Sequence, residues 1–311
     1  MGKFIFDPLT GVPTILATNR AKRPDQTGAV ASIKPSDKAD PDIKQKLFCK
    51  GYEHLTPEAV YQDADDWNVR VFPNKFPLLD FHEIFVHSPD PVKDIEDFDC
   101  EQNVKLIRAY LSRVNHYASM ENEVIIFNNR GGKAGASIAH PHSQLVAAKG
   151  FPGDVAAKKT AAMKYYNENH SCYWCDEMKN VLETKDRLVY ESAHFVLYVP
   201  KACKWSYEMT LAAKEHKPNF EFISEVEIQD LAMVLKAALK TYDTLFDRPD
   251  RNFWIHTVRY EPFHWHMGFL PHIKVFGGLE LGAGIWVSDK ATPEDAAKEL
   301  GEVFVASCDA S

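Results

Sequence analysis

Two histidine pairs, His140-Pro-His142 and His264-Trp-His266, stand 124 residues apart, and other landmarks keep nearly the same step. Cys172 and Cys175 follow Lys46 and Cys49 by 126 residues. Glu208 follows Glu83 by 125, and the capping pair Ser224-x-x-Glu227 follows Asp99-x-x-Gln102 by 125. Such a cap lets each side chain bond the other residue's backbone N–H and so opens a helix. Behind each cap, apolar residues recur at steps of three and four: Val104, Ile107, Leu111 and Val114, then Ile228, Leu231, Leu235, Ala238, Tyr242 and Leu245. Each helix leads to a strand-like run, Val124–Phe127 or Phe253–Ile255, and each run leads to its histidine pair. The chain is therefore read as one α+β unit built twice, and two copies are too few for a solenoid. With 311 residues, 45% of them hydrophobic, there is room for two cores.

The first pair lies in His140-Pro-His142-Ser-Gln144, behind the glycine-rich stretch Asn129-Arg-Gly-Gly-Lys-Ala-Gly-Ala-Ser137. On an extended segment, alternate residues share a face, so His140, His142 and Gln144 are expected to look into one site. An imidazole nucleophile, small residues that let backbone come close, and neutral donors suit chemistry on phosphate. Gln144 can hold an oxygen but cannot shuttle a proton, which favours transfer over hydrolysis. His140 is placed either to fix the tautomer of His142 through its carbonyl or to bind metal.

The second half offers Cys172, Cys175, His216 and His264, a four-ligand set that suits tetrahedral zinc. The same positions in the first half hold Lys46, Cys49, Pro91 and His140. One structural zinc is expected in the second half and none in the first. The net charge of −8 excludes the basic field of a general nucleic-acid binder. No stretch reads as an export signal or a membrane span, so a cytoplasmic protein with reduced thiols is expected. Lys158-Lys159 reads as a solvated helix face, Asp63 to Asp66 as an acidic loop, and Thr292-Pro-Glu-Asp295 as a helix N-cap. Cys100, Cys203 and Cys308 read as bystanders.

These motifs, with Asp7-Pro-Leu-Thr-Gly11, Asn19-Arg-Ala-Lys-Arg-Pro24, Arg70-Val-Phe-Pro-Asn-Lys-Phe-Pro77 and Gly277-Gly-Leu-Glu-Leu-Gly-Ala-Gly284 in the right order, carry a resemblance. The chain resembles galactose-1-phosphate uridylyltransferase and its relatives in the histidine-triad superfamily, which include ADP-glucose and dinucleoside-polyphosphate phosphorylases. The resemblance implies two histidine-triad-like halves, 1–150 and 151–311, of mostly antiparallel sheet with helices packed on it. It also implies a homodimer.

By the same resemblance His142 is the nucleophile that becomes a nucleotidyl-histidine, and Gln144 bonds the phosphate. Ser137 and Asn129 contact phosphates near the reacting phosphorus. Arg20 and Arg23 hold the nucleotide phosphates, Asn74 lies in the nucleoside segment, and Lys274 contacts the sugar phosphate. The implied reaction is ping-pong nucleotidyl transfer from a nucleoside diphosphate sugar to a sugar 1-phosphate or phosphate. UDP-glucose with galactose 1-phosphate leads, and an ADP-sugar or dinucleoside-polyphosphate phosphorylase is the alternative. Leu279 departs from the tyrosine of the galactose enzymes. A non-catalytic nucleotide-binding protein is the reading from a different class.

Overall fold

The computed structural model describes residues 2–18, 20 and 46–309. A hairpin, β1 (Lys3–Phe6) and β2 (Pro13–Leu16), precedes the first half. That half contributes β3 (Tyr61–Gln62), β4 (Arg70–Pro73), β5 (Phe81–Val86), α1 (Cys100–Ser119), β6 (Glu123–Arg130) and β7 (His142–Ala148). After α2 (Asp154–Asn169) and α3 (Tyr173–Thr184), the same order returns as β8 (Leu188–Glu191), β9 (Phe195–Tyr198) and β10 (Met209–Ala213). It continues with α4 (Glu225–Phe246), β11 (Arg251–Thr257) and β12 (His266–Pro271), and α5 (Gly278–Ala283) and α6 (Pro293–Asp309) close the chain.

The helix starts obey their caps. Asp99 accepts the Gln102 N–H at 2.8 Å to open α1, and the Ser224 N–H donates to Glu227 at 2.7 Å to open α4. Thr292 accepts the Asp295 N–H at 3.1 Å at the head of α6. The α4 box is reciprocal. Gln102 turns its amide outward to the carbonyls of Asn68 and His87, which ties α1 to the sheet it covers.

The strands form one ten-stranded antiparallel sheet in the order β3-β4-β5-β7-β6-β11-β12-β10-β9-β8. It reads alike from either end, with β6 and β11 paired at the centre, Phe127 opposite Trp254 and Ile126 opposite Ile255. Each half alone would expose an edge of unpaired N–H and C=O groups, and joining the edges removes that liability. One face carries a continuous core to which α1 gives Ile107, α4 gives Leu231 and Leu235, and α6 gives Leu300 and Phe304. Burying each such side chain contributes roughly 1.5–3 kcal/mol. The expected division near residue 150 falls in the link between β7 and α2.

The other face carries the site. Along β7, Ser143, Leu145 and Ala147 point to the helices or are buried against them, whereas His142, Gln144 and Val146 face the opposite way. On β5, Glu83 and Phe85 face α1, and His82 and Ile84 share the side of His142.

Candidate active site

His142 begins β7 at the wall of a cavity of about 460 Å³. Its Nδ1 lies 2.8 Å from the carbonyl of His140, which can only accept, so Nδ1 carries the proton and Nε2 keeps the lone pair. The Phe48 ring meets the imidazole edge-on with centroids 5.3 Å apart. Behind it, Asn128 Nδ2 donates to the His142 carbonyl at 2.8 Å, and Arg251 Nη1 donates to Asn128 Oδ1 at 3.1 Å. The His142 backbone is thus held, through Asn128, by a residue of the second half.

Gln144, Ser137, Asn129, Asn74 and Arg20 also line this cavity, and Leu47, Phe48, Leu55, Phe72, Ile84 and Ile138 supply apolar wall. Gln144 Oε1 sits 3.0 Å from His82 Nε2. Asn129 accepts from Asn252 Nδ2 at 2.8 Å, Asn74 Oδ1 accepts the Phe76 N–H at 2.9 Å, and Arg20 donates to the Phe76 carbonyl at 2.8 Å. The glycine-rich stretch is a loop anchored from the second half, since Asp250 accepts the Lys133 N–H at 2.6 Å. Gly131 holds φ +86° there, and a Cβ would lie 1.9 Å from the Asp250 carboxylate. Only glycine fits.

Two expectations, for His140 and Lys274, meet different placements. His140 precedes the strand, so alternation does not govern it, and it lies outside the lining of this cavity. Its Nε2–H donates to the Ser88 carbonyl at 2.8 Å, and its Nδ1 faces Cys49 Sγ at 3.6 Å. Burial pushes its pKa down to about 4, against the upward pull of the Ser88 bond. Lys274 is away from the cavity in this chain, paired with Glu280 at 3.5 Å and lying over the Trp205 ring. Arg23 lies outside the described residues.

Sequence reading missed two buried networks. Ser143, on the helix side of β7, bonds His87 Nε2 and the Tyr110 hydroxyl at 2.7 Å each, and His87 Nδ1 bonds Asp94 at 2.7 Å. This resembles a hydrolytic triad but is sealed from solvent, Ser143 and His87 both being 0% exposed. Asp94 and Glu96 in turn accept from Arg251, at 3.2 and 2.5 Å, and Arg130 pairs with Glu96 and Asp243. Only the alternation of Ser143 against His142 hinted at the first network. No local pattern announces the second.

In the second half the sulfurs of Cys172 and Cys175 and one nitrogen each of His216 and His264 lie within 4.8 Å of one another. His216 Nε2–H donates to the Glu261 carbonyl at 3.0 Å, which leaves Nδ1 as a lone pair 3.4 Å from Cys175 Sγ. His264 turns Nδ1 to the same sulfur at 3.5 Å. The Cys175 thiol and both imidazoles pull the Cys172 pKa far down, so one thiolate is stabilised in the cluster. Two sulfurs and two imidazole nitrogens, converging from α3, the 214–217 loop and the approach to β12, can hold a metal ion.

The counterpart of the His142 cavity is closed. His266 matches His142 and bonds the His264 carbonyl through Nδ1 at 2.9 Å, but Gly268 stands where Gln144 would be. The Trp254 indole fills that space, 2.4 Å from where a Cβ at Gly268 would lie. Lys158 corrects another expectation. Its α2 lies across the sheet, so the half-buried ammonium is held between His266 Nε2 at 3.0 Å and His256 Nδ1 at 3.4 Å. Lys159 is likewise engaged, with Glu123 at 2.8 Å.

The sheet is a twofold repeat, with His142 and Gln144 side by side in the cavity of one half and the matching position of the other filled by Trp254. The N-terminal domain model of galactose-1-phosphate uridyl transferase matches residues 81–152, and its C-terminal domain model matches 158–276. ADP-glucose phosphorylase of Arabidopsis thaliana is 28% identical across 96% of this chain and 92% of its own. Galactose-1-phosphate uridylyltransferase of Thermotoga maritima is 29% identical, covering 72% and 74%. A crystal structure of the Arabidopsis ADP-glucose phosphorylase with bound ADP-glucose superposes with a TM-score of 0.77 at 27% identity, over 97% of this chain and 99% of that one. The chain belongs to the galactose-1-phosphate uridylyltransferase family and is a nucleotidyltransferase. Among the described residues no helix is long and apolar enough to cross a membrane.

Proposed function

We propose that the protein moves a nucleotidyl group from a nucleoside diphosphate sugar to a hexose 1-phosphate or phosphate through a nucleotidyl-His142 intermediate. The observation that carries this reading is the His142 tautomer, whose lone-pair nitrogen belongs to a side chain lining the cavity beside Gln144. Nε2 attacks the α-phosphorus, the sugar 1-phosphate leaves with the bonding pair, and an incoming phosphate oxygen then takes the nucleotide from His142. Phosphoryl chemistry of this kind rests mainly on positioning and charge stabilisation. Gln144, Ser137 and Asn129 contact the phosphate oxygens, Arg20 and Arg23 the nucleotide phosphates, and Asn74 the nucleoside.

UDP-glucose with galactose 1-phosphate is the leading pair, supported by both family models. Adenylyl transfer from an ADP-sugar is the second reading. It is favoured by the end-to-end similarity to a relative that is an ADP-glucose phosphorylase. Intact mass after mixing with UDP-glucose or ADP-glucose tests both. A uridylyl or adenylyl adduct is expected, identifies the donor, and is lost in His142→Ala. An adduct that survives that substitution sinks the role of His142, and no adduct from any donor sinks the reaction.

The metal assigned to Cys172, Cys175, His216 and His264 is zinc in a structural role, since four protein ligands leave no open position. A cytoplasmic site of action is supported by the unbridged thiols of Cys100 and Cys203. The protein acts as a homodimer, in which Lys274 serves the sugar phosphate in its partner's cavity. Supporting this, Val275, Leu279, Leu281 and Ile285, beside Lys274, are exposed apolar side chains that a monomer leaves in water. Native mass spectrometry should find a dimer carrying two zinc ions. A monomer, or four zinc ions per dimer, contradicts these assignments.

A further inference from the structure

We propose that His82 is a positioning residue that fixes Gln144 with its amide NH₂, rather than its oxygen, toward the reacting phosphate. The inference deepens the proposed reaction and rests on it. His82 is 3% exposed and lies outside the lining of the cavity, so it acts only through what it touches.

The argument is one of proton counting. The Leu78 backbone N–H points at His82 Nδ1 from 2.9 Å, and a backbone N–H can only donate. Nδ1 must therefore be a lone pair. A neutral imidazole has one N–H, so it resides on Nε2, 3.0 Å from Gln144 Oε1. Reversing the Gln144 amide would set two donors against each other. Asn74 cannot take the proton instead. Its Oδ1 accepts the Phe76 N–H, and the atom it turns to His82 Nε2, at 3.3 Å, is its own amide nitrogen. The orientation of Gln144 is thus inherited from a backbone amide two bonds of the network away. The imidazole stays neutral because burial pushes its pKa down to about 4, against the upward pull of the Gln144 hydrogen bond, and the Arg20 charge adds to the effect.

What reaches the cavity is then a donor. Negative charge grows on the non-bridging oxygens as the α-phosphorus is attacked, and a donor fixed in advance gains strength as that happens. A glutamine free to turn would offer its oxygen part of the time and repel the same charge. Removing one preorganised donor of this kind typically costs about 10²–10³ in rate. Losing only its orientation should cost less.

Stopped-flow measurement of nucleotidyl-enzyme formation from UDP-glucose and ADP-glucose tests the proposal, with circular-dichroism melts run on every variant. His82→Ala should slow adduct formation at saturating donor roughly 10- to 100-fold, with the half-saturating donor concentration changed far less. His82→Gln, whose amide NH₂ can donate near the Nε2 position, should recover most of the rate. In Gln144→Ala, adding His82→Ala should cost nothing further. Wild-type rates in His82→Ala, or costs of the two substitutions that multiply, overturn the positioning role while leaving the reaction standing. A wild-type protein that forms no adduct overturns the reaction and the role together. Independently of any variant's folding, ¹⁵N spectroscopy of the wild-type should find His82 as the Nε2–H tautomer. The Nδ1–H tautomer overturns the proposal.

Discussion

His142, His140 and His82 each have one nitrogen committed to the backbone, and that commitment decides what the other nitrogen does. His142 gives its Nδ1–H to the His140 carbonyl, His140 gives its Nε2–H to the Ser88 carbonyl, and His82 receives the Leu78 N–H on Nδ1. Two of these rings are buried in the neutral form. Burial pushes the pKa of both His82 and His140 down to about 4, whereas an unfolded histidine titrates near 6.5. Between those values the unfolded chain binds more protons, so stability is full above pH ~6.5 and is lost as pH falls toward ~4. The melting temperature should therefore be flat above neutrality and drop through that window. The drop should be smaller in His82→Gln, and an unchanged pH profile in that variant would refute the assignment. At this scale the sequence singled out His142 and Gln144, which line one cavity, but not His82. A histidine in the alternating run Phe81–Val86 carries no mark of its partner, which comes from another strand.

Among elements, the glycine-rich loop gains its shape from a contact the sequence does not advertise. Asn129 to Ser137 read as a glycine-rich lead-in to the first histidine pair, and Asp250, just before β11, clamps the Lys133 N–H and leaves no room for a side chain at Gly131. Gly131→Ala should destabilise the protein by about 1–2 kcal/mol, from the left-handed backbone alone. It should also slow adduct formation by displacing Ser137 and Asn129. A urea midpoint and an adduct rate both equal to wild type would show that the loop tolerates a Cβ. The caps were legible because their interactions are local: Ser224 with Glu227, Thr292 with Asp295. Gln102 was not, since carbonyls outside its own helix compete for its amide. Lys158 was misread for a related reason. Charge on a helix suggests solvent, but α2 lies over two imidazoles that need a donor.

For the whole molecule, the junction of β6 with β11 makes the halves one body and brings second-half residues under His142. Arg251, 0% exposed, donates to Asn128, Asp94 and Glu96, all from the first half. Removing a buried partner of this kind strands the opposing charges and typically costs about 3–5 kcal/mol. Arg251→Ala should lower the denaturation midpoint accordingly and also weaken adduct formation, because Asn128 loses its tether behind His142. A stability loss with an unchanged adduct rate would confine Arg251 to a structural role. The duplication, the capped helices with the strands that follow them, and the Cys172, Cys175, His216 and His264 set were written in local pattern and spacing, which follow from periodicity, capping and ligand chemistry along the chain. The single continuous core, the Trp254 that closes the second site, the placing of Lys274 away from the cavity and the His82–Gln144 orientation were decided by tertiary structure. They depend on which strands pair across a hundred residues or more and on which donor meets which acceptor, and no local stretch of sequence contains both partners.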